Sequence, residues 1–246
     1  MISFDRVTKL YGETHALSDV SVTIQDGEFL FLIGPSGAGK TTFLKLLTRE
    51  TIPTKGDIVL DDWKISTLPT SSIHLLRRRV GVVFQDFKLL TDRTVFENVA
   101  LALEILGKDN REIIRDVDKV LELVGLESKK YLFPQQLSAG ELQRTSIART
   151  IVGGPRVLLA DEPTGNLDPE TSWEILDILQ EINDIGTTVI MATHNAGIVN
   201  NLKKRTITLE HGAIVSDEAR GRYHIHKKAR RLGKSQEKDK EGASSL

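Results

Sequence analysis

An apolar run, Phe29-Leu30-Phe31-Leu32-Ile33, leads directly into Gly34-Pro35-Ser36-Gly37-Ala38-Gly39-Lys40-Thr41. A helix-like stretch, Thr42-Phe43-Leu44-Lys45-Leu46-Leu47, follows at once. The middle segment fits G-x-x-x-x-G-K-[ST], and strand, glycine-rich loop, helix is the context that spacing requires. It directs the chain toward an α/β fold. The residue types fit binding of a polyanion. Glycines let backbone N–H groups close around it without Cβ clashes. The helix N-terminus adds partial positive charge. Lys40 can reach the β- and γ-phosphates of a nucleotide, and Thr41 can offer its hydroxyl to Mg²⁺.

The later apolar runs are unalternated: Val80–Phe84, Val157–Ala160 and Thr188–Ala192. Continuous runs separated by helical segments predict a buried, mostly parallel sheet. Val20-Ser21-Val22-Thr23-Ile24 alternates instead, and Asp26-Gly27 turns the chain after it. Between Val95 and Leu126 the apolar period becomes helical, through Ile113, Ile114, Val117, Val120, Leu121 and Val124, with Gly125 as the C-terminal cap. This is a helical insertion. Asp168-Pro169 predicts an N-cap followed by proline at the first helical position. Ile175, Leu176, Ile178, Leu179 and Ile182 would line one face of that helix. Thr206–Leu209 and Ala213–Val215 flank His211-Gly212 as a hairpin.

With 246 residues the chain is long enough for a substantial core, and 33 basic against 34 acidic residues give no global nucleic-acid or membrane signature. The absence of cysteine excludes disulfides, Cys-ligated zinc and thiol catalysis. No apolar run approaches the roughly 18 residues of a transmembrane helix, and the N-terminus has no signal-peptide pattern. Charge is concentrated at the far end. From Arg220 to Leu246 there are nine basic and three acidic residues, which leaves 24 basic and 31 acidic before them. The division expected is a folded unit over 1–219, with a helical subdomain at about 88–152, and a basic, disordered tail over 220–246. The basic block of residues 220–234 either is a solvated end or leans on anionic lipid, at about 1 kcal/mol per basic residue near such a surface.

Val157–Ala160 leads into Asp161-Glu162. A carboxylate at the end of a buried strand facing a phosphate loop suits Mg²⁺, which takes a few hard oxygens with waters and phosphate oxygens. Adjacent residues at a strand end point in different directions. One carboxylate can therefore serve the metal while its neighbour polarises a water.

Further residues complete an ordered set: Tyr11 before Gly12, Gln85 after Val80–Phe84, Leu137-Ser138-Ala139-Gly140-Glu141 before a helix running through Arg144 and Ile147, Asn166-Leu167-Asp168, and His194 after Thr188–Ala192. Over about residues 1–217 the chain resembles the ABC-type ATPases. That resemblance implies a P-loop NTPase of ABC type, with a mostly parallel core sheet, an antiparallel β subdomain and the helical insertion. It implies an ATP site at Gly34, Pro35, Ser36, Gly37, Ala38, Gly39, Lys40, Thr41 and Thr42, with Tyr11 stacked on adenine. Thr41, Gln85 and Asp161 would arrange Mg²⁺. Glu162 would polarise the attacking water, with Lys40, Gln85 and His194 also catalytic. Ser138 and Gly140 would contact the γ-phosphate of ATP held by a second copy, so hydrolysis would require a homodimer.

One departure is visible. The family signature reads L-S-G-G-Q, where this chain has Leu-Ser-Ala-Gly-Glu. Ala139 would penalise a positive φ and add a methyl near the phosphate, which predicts a working but slow site. The segment Val82–Leu90 followed by Thr94–Val99 resembles the cell-division members of the family. These pair with an integral membrane partner, FtsX, and control cell-wall hydrolases outside the cell. Phe87, Leu89 and Leu90 would either meet that partner or pack under the helical insertion. Lipoprotein-release and macrolide-export ATPases of the family are the alternative. A DNA-bound ABC ATPase is disfavoured, since the coiled-coil or zinc insertions of that type are missing, and no specific nucleic acid is expected. The expected location is the cytoplasmic face of the cell membrane, held there by the partner.

Overall fold

The computed structural model describes residues 1–221. Nearly all of the expected basic tail, with its lipid contact, lies outside those residues. Strands β1 (Ile2–Tyr11), β2 (Thr14–Ile24), β4 (Lys55–Leu60) and β5 (Trp63–Lys64) form an antiparallel sheet in the order β2-β1-β4-β5. Strands β3 (Phe29–Ile33), β6 (Val80–Val83), β7 (Val157–Asp161), β8 (Thr188–Ala192), β9 (Arg205–Glu210) and β10 (Ala213–Glu218) form the second, ordered β10-β9-β3-β8-β7-β6. All its pairings are parallel except the β9–β10 hairpin.

The unalternated runs are explained by burial on both faces of this sheet. In β3, Phe29, Phe31 and Ile33 enter one core cluster, while Leu30 and Leu32 enter the other. In β7, Leu158 and Ala160 face the first cluster, and Val157 and Leu159 the second. The second cluster fills the space between the parallel sheet, helix α1 (Lys40–Leu47) and the antiparallel sheet, where Phe4 stacks on Phe43. Helix α2 (Ile73–Arg79) contributes Leu76 to it.

The first cluster is covered by α3 (Val95–Ile105), α4 (Asn110–Leu123), α5 (Ala139–Ile151) and α6 (Pro169–Asp184). Helices α3 to α5 lie in the crossover between the neighbouring strands β6 and β7, so the helical insertion is present. Local chemistry starts each of these helices. Thr94 with Glu97, Asp109 with Glu112, and Ser138 with Glu141 close reciprocal capping boxes. Asp168 caps α6, with Pro169 at its first position. Gly125 follows the last residue of α4's cap at φ +66°, the left-handed ending expected of it. The side-chain amide of the fully buried Asn98 donates to the carbonyls of Leu90, Arg93 and Thr94, and its oxygen accepts from the Leu90 N–H. One side chain thus organises the loop that enters α3.

Asp26-Gly27 turns the chain as expected, passing it from β2 of one sheet to β3 of the other. One boundary differs from expectation. Strand β6 ends at Val83, so Phe84 and Gln85 already belong to the following loop. A last short helix, α7 (Ala196–Leu202), is capped by Asn195 just after the β8 strand end.

Candidate functional site

The residues from Gly34 to Gly39 connect β3 to α1 at the ends of parallel strands β3, β7 and β8, where the apolar cores stop and polar residues begin. Two glycines of this loop are demanded by backbone neighbours. At Gly34 (φ +149°) a Cβ would stand 2.2 Å from the Leu209 carbonyl oxygen, and at Gly39 (φ +107°) it would stand 2.5 Å from that of Ala16. The Gly212 N–H donates to the Ala38 carbonyl at 3.1 Å, so the β9–β10 turn also clamps the loop. These contacts hold the loop's shape from outside.

Lys40 is 7% exposed, and its ammonium donates to the carbonyls of Gly34 at 2.8 Å and Pro35 at 3.1 Å. The Thr41 hydroxyl donates to Asp161. Burial raises the Asp161 carboxyl above its usual range, and Glu162 adds to this; the Thr41 bond and the Lys40 charge oppose it. A divalent cation at these oxygens would reverse the shift. Among the described residues no three His, Cys, Asp or Glu side chains are gathered to hold a metal. One buried carboxylate with one hydroxyl fits Mg²⁺ that also takes oxygens from phosphate and water.

The neighbouring carboxylate diverges because Glu162 adopts φ +50°, a left-handed conformation costing a residue with a Cβ roughly 1–3 kcal/mol. Its N–H donates to the Ala192 carbonyl at 3.0 Å, which anchors the turn to the end of β8. His194, just past β8, brings Nδ1 to 2.9 Å from Glu162 Oε2. Protonated at Nδ1, the imidazole donates to that carboxylate. Glu162, His194 and Ser36 to Thr42 share one cavity of about 590 Å³. Thr14, His15 and Ala16 of β2 also line it. Sequence reasoning missed these three, since no motif marks them and only the packing of β2 brings them there. A second cavity of about 350 Å³ shares Glu162 and His194 and extends to Gly165, Trp173 and Asn195.

Not every expected residue joins this group. Gln85 donates through Nε2 to Asn166 Oδ1 at 3.1 Å, and Asn166 Nδ2 returns a bond to the Gln85 carbonyl at 3.4 Å. It therefore engages the loop after Glu162, whereas the sequence grouped it with Thr41 and Asp161. Tyr11 ends β1, is 49% exposed, and carries Lys9 Nζ 4.8 Å from its ring centroid. It does not line the cavity beside the phosphate loop.

Ser138 and Gly140 also lie outside that cavity, at the start of α5. Gly140 is buried against α6, and a Cβ there would stand 2.4 Å from Thr171 Cγ2. The expectation for Ala139 needs correction. Ala139 is the first residue of α5 and is not among the residues with positive φ, so its methyl carries no backbone strain. Glu141 has a structural part as well. The Ser138 N–H donates to its carboxylate at 2.8 Å, and the Glu141 N–H donates back to Ser138 Oγ at 3.3 Å. The Ser138 amide, with Lys129 and Arg144 further off, holds the Glu141 carboxyl below its usual range. Ala139→Gly is therefore expected to leave turnover within about twofold and to lower stability by about 0.5–1 kcal/mol, from the cost of glycine in a helix. ATPase assay and chemical denaturation together check this.

The family described as ABC transporter matches residues 17–165. The cell division ATP-binding protein FtsE of Bacillus subtilis (strain 168) is 55% identical over 224 residues, 91% of this chain and 98% of that protein. FtsE of Streptococcus pneumoniae serotype 2 is 52% identical over 219 residues, 89% of this chain and 95% of that protein. Among solved structures, the dimeric post-hydrolysis state of the ATP-binding cassette MJ0796 bound to ADP and Pi superposes with a TM-score of 0.81 at 33% identity, covering 91% of this chain and all of that one.

Proposed function

The chain belongs to the ABC transporter family of ATPases, and from that premise we propose that it is the ATP-binding and ATP-hydrolysing subunit of a cell-division complex, acting on an integral membrane partner of the FtsX type. The observation that carries the enzymatic part is the single cavity in which Glu162 and His194 face residues Ser36 to Thr42 of the phosphate loop and the start of α1. The cell-division part rests on the two relatives named FtsE, each matched over most of its length.

In this reading the loop N–H groups and Lys40 hold the β- and γ-phosphates of ATP. Thr41 and Asp161 would hold Mg²⁺, and Gln85, whose Nε2 is engaged by Asn166, would offer its Oε1 toward the ion. When bound, the ion neutralises phosphate charge. Glu162 accepts a proton from the attacking water as general base, and His194 orients that carboxylate and faces the γ-phosphate. Tyr11 offers its exposed ring to adenine. Ser138 and Gly140, outside the cavity of their own chain, would complete the site of a second copy. The dimeric neighbour bound to ADP and Pi supports a two-chain arrangement.

Among the described residues no helix is long and apolar enough to cross a membrane. The chain would reach the cytoplasmic membrane face through its partner. Phe87 and Leu89 are half-buried and Leu90 is 41% exposed, which favours contact over burial under the helices. A groove of about 590 Å³, lined by Ile73, Arg77, Ile105 and Leu106 and bounded by Gly81 and Thr150, offers room for a partner's helix. The Leu89→Ser/Leu90→Ser variant is expected to keep its melting temperature within a few degrees and to bind ATP as the parent does. Co-purification with the membrane partner should fall at least about tenfold, the loss of two apolar anchors. Unchanged co-purification from a folded variant would move the docking surface elsewhere, and parent protein that captures no membrane protein would overturn the reading.

A further inference from the structure

The loop after Gln85 contains two consecutive non-glycine residues in the left-handed region, Phe87 at φ +57° and Lys88 at φ +48°. Such a conformation is unfavourable for any residue with a Cβ and persists only where its surroundings hold it. The holder is visible. Arg149, near the C-terminal end of α5, donates from Nη1 to the Lys88 carbonyl at 2.6 Å and from Nη2 to the Phe87 carbonyl at 3.0 Å. Among the described residues no carboxylate comes within ion-pair distance of it. Its charge is thus turned on two carbonyls, and burial lowers its pKa accordingly. A guanidinium can bridge adjacent carbonyls with its rigid fork, whereas an ammonium is a single point.

We propose that Arg149 is a positioning residue for the hydrolytic site: its fork holds the strained Phe87–Lys88 turn and so fixes Gln85, two residues upstream, against Asn166 in the loop that follows Glu162. Helix α5 is capped by Ser138 at one end and carries Arg149 in its last turn at the other. A shift of α5 driven at its N-terminus would therefore be felt at Gln85. The kinetic part rests on the ATPase reading; the clamp itself does not. Strand β6 is paired with β7 from Val80 to Val83, and the Thr150 hydroxyl lies 3.2 Å from the Val82 carbonyl, so the strand stays anchored without Arg149.

The test uses the full chain with Arg149→Met, Arg149→Lys, Lys88→Gly and the Arg149→Met/Lys88→Gly double variant. Without nucleotide, Arg149→Met should speed amide exchange of residues 87–90 about tenfold or more, while α6 and β8 keep their protection. Arg149→Lys should show most of the same effect. With ATP, kcat should fall about tenfold with KM within about twofold, because the Lys40 loop is untouched. Glycine accepts φ +48° without strain, so the Arg149→Met effect on exchange should be at least about threefold smaller in the Lys88→Gly background. Equal effects in both backgrounds, or parental exchange of the loop in folded Arg149→Met or Arg149→Lys, would overturn the clamp. Absence of ATPase activity in the parent would sink the enzymatic reading and leave the exchange result to decide the clamp alone.

Discussion

Glu162→Gln is expected to bind ATP with parental affinity and to hydrolyse it about 10²–10⁴-fold more slowly, the usual contribution of a general base. The amide is isosteric with the carboxylate and can still accept a bond from His194, which lies 2.9 Å away in the parent. It cannot take a proton from water. With the base removed and the phosphate loop intact, the variant should accumulate as an ATP-bound dimer, visible by size-exclusion chromatography with and without ATP. Lys40→Ala separates the roles, since it removes the buried ammonium beside Gly34 and Pro35 and should weaken nucleotide binding itself. Parental turnover by Glu162→Gln would remove Glu162 from the role of base.

Mixing two inactive variants should restore activity. Lys40→Ala chains keep an intact signature, and Ser138→Arg chains keep an intact phosphate loop. In a two-fold dimer each site takes its loop from one chain and its signature from the other. A heterodimer of the two variants then contains one complete site and one doubly broken one. Random pairing predicts about a quarter of the parental rate, since half of the dimers are mixed and each has one of two sites. Specific activity of the parent should also fall on dilution, as the dimer dissociates. No rescue on mixing, together with full activity in a dilute monomer, would refute the shared site. Ser138→Arg also removes the cap of α5, so a matched control is Ser138→Ala, which breaks the cap without adding bulk.

The parts of the site that were legible in the sequence are those where chemistry dictates residue type at short range. The phosphate loop needs small residues, a lysine and a hydroxyl in one turn, so Gly34–Thr41 announces itself. The double-faced burial of β3, β7 and β8 leaves apolar runs without alternation, and Asp168-Pro169 writes a helix start in two residues. Strand β4 and helix α2 were not foreseen. Lys55–Leu60 owes its extended form to pairing with β1, and only three residues of α2 are apolar, so neither carries a strong local period.

What the sequence by itself determined is the inventory: a nucleotide loop, a carboxylate pair at a buried strand end, and a helical insertion, each set by interactions among residues close in the chain. What only the tertiary structure decided is which of these meet. That Glu162 turns to His194 while Asp161 turns to Thr41 follows from a left-handed residue anchored to a neighbouring strand. That Gly34 and Gly39 are needed by Leu209 and Ala16, and Gly140 by Thr171, follows from close approaches across the fold. That Ala139 sits unstrained follows from the helix begun by Ser138 and Glu141. Such choices depend on contacts between residues far apart in the chain, which exist only once the sheets and helices have packed.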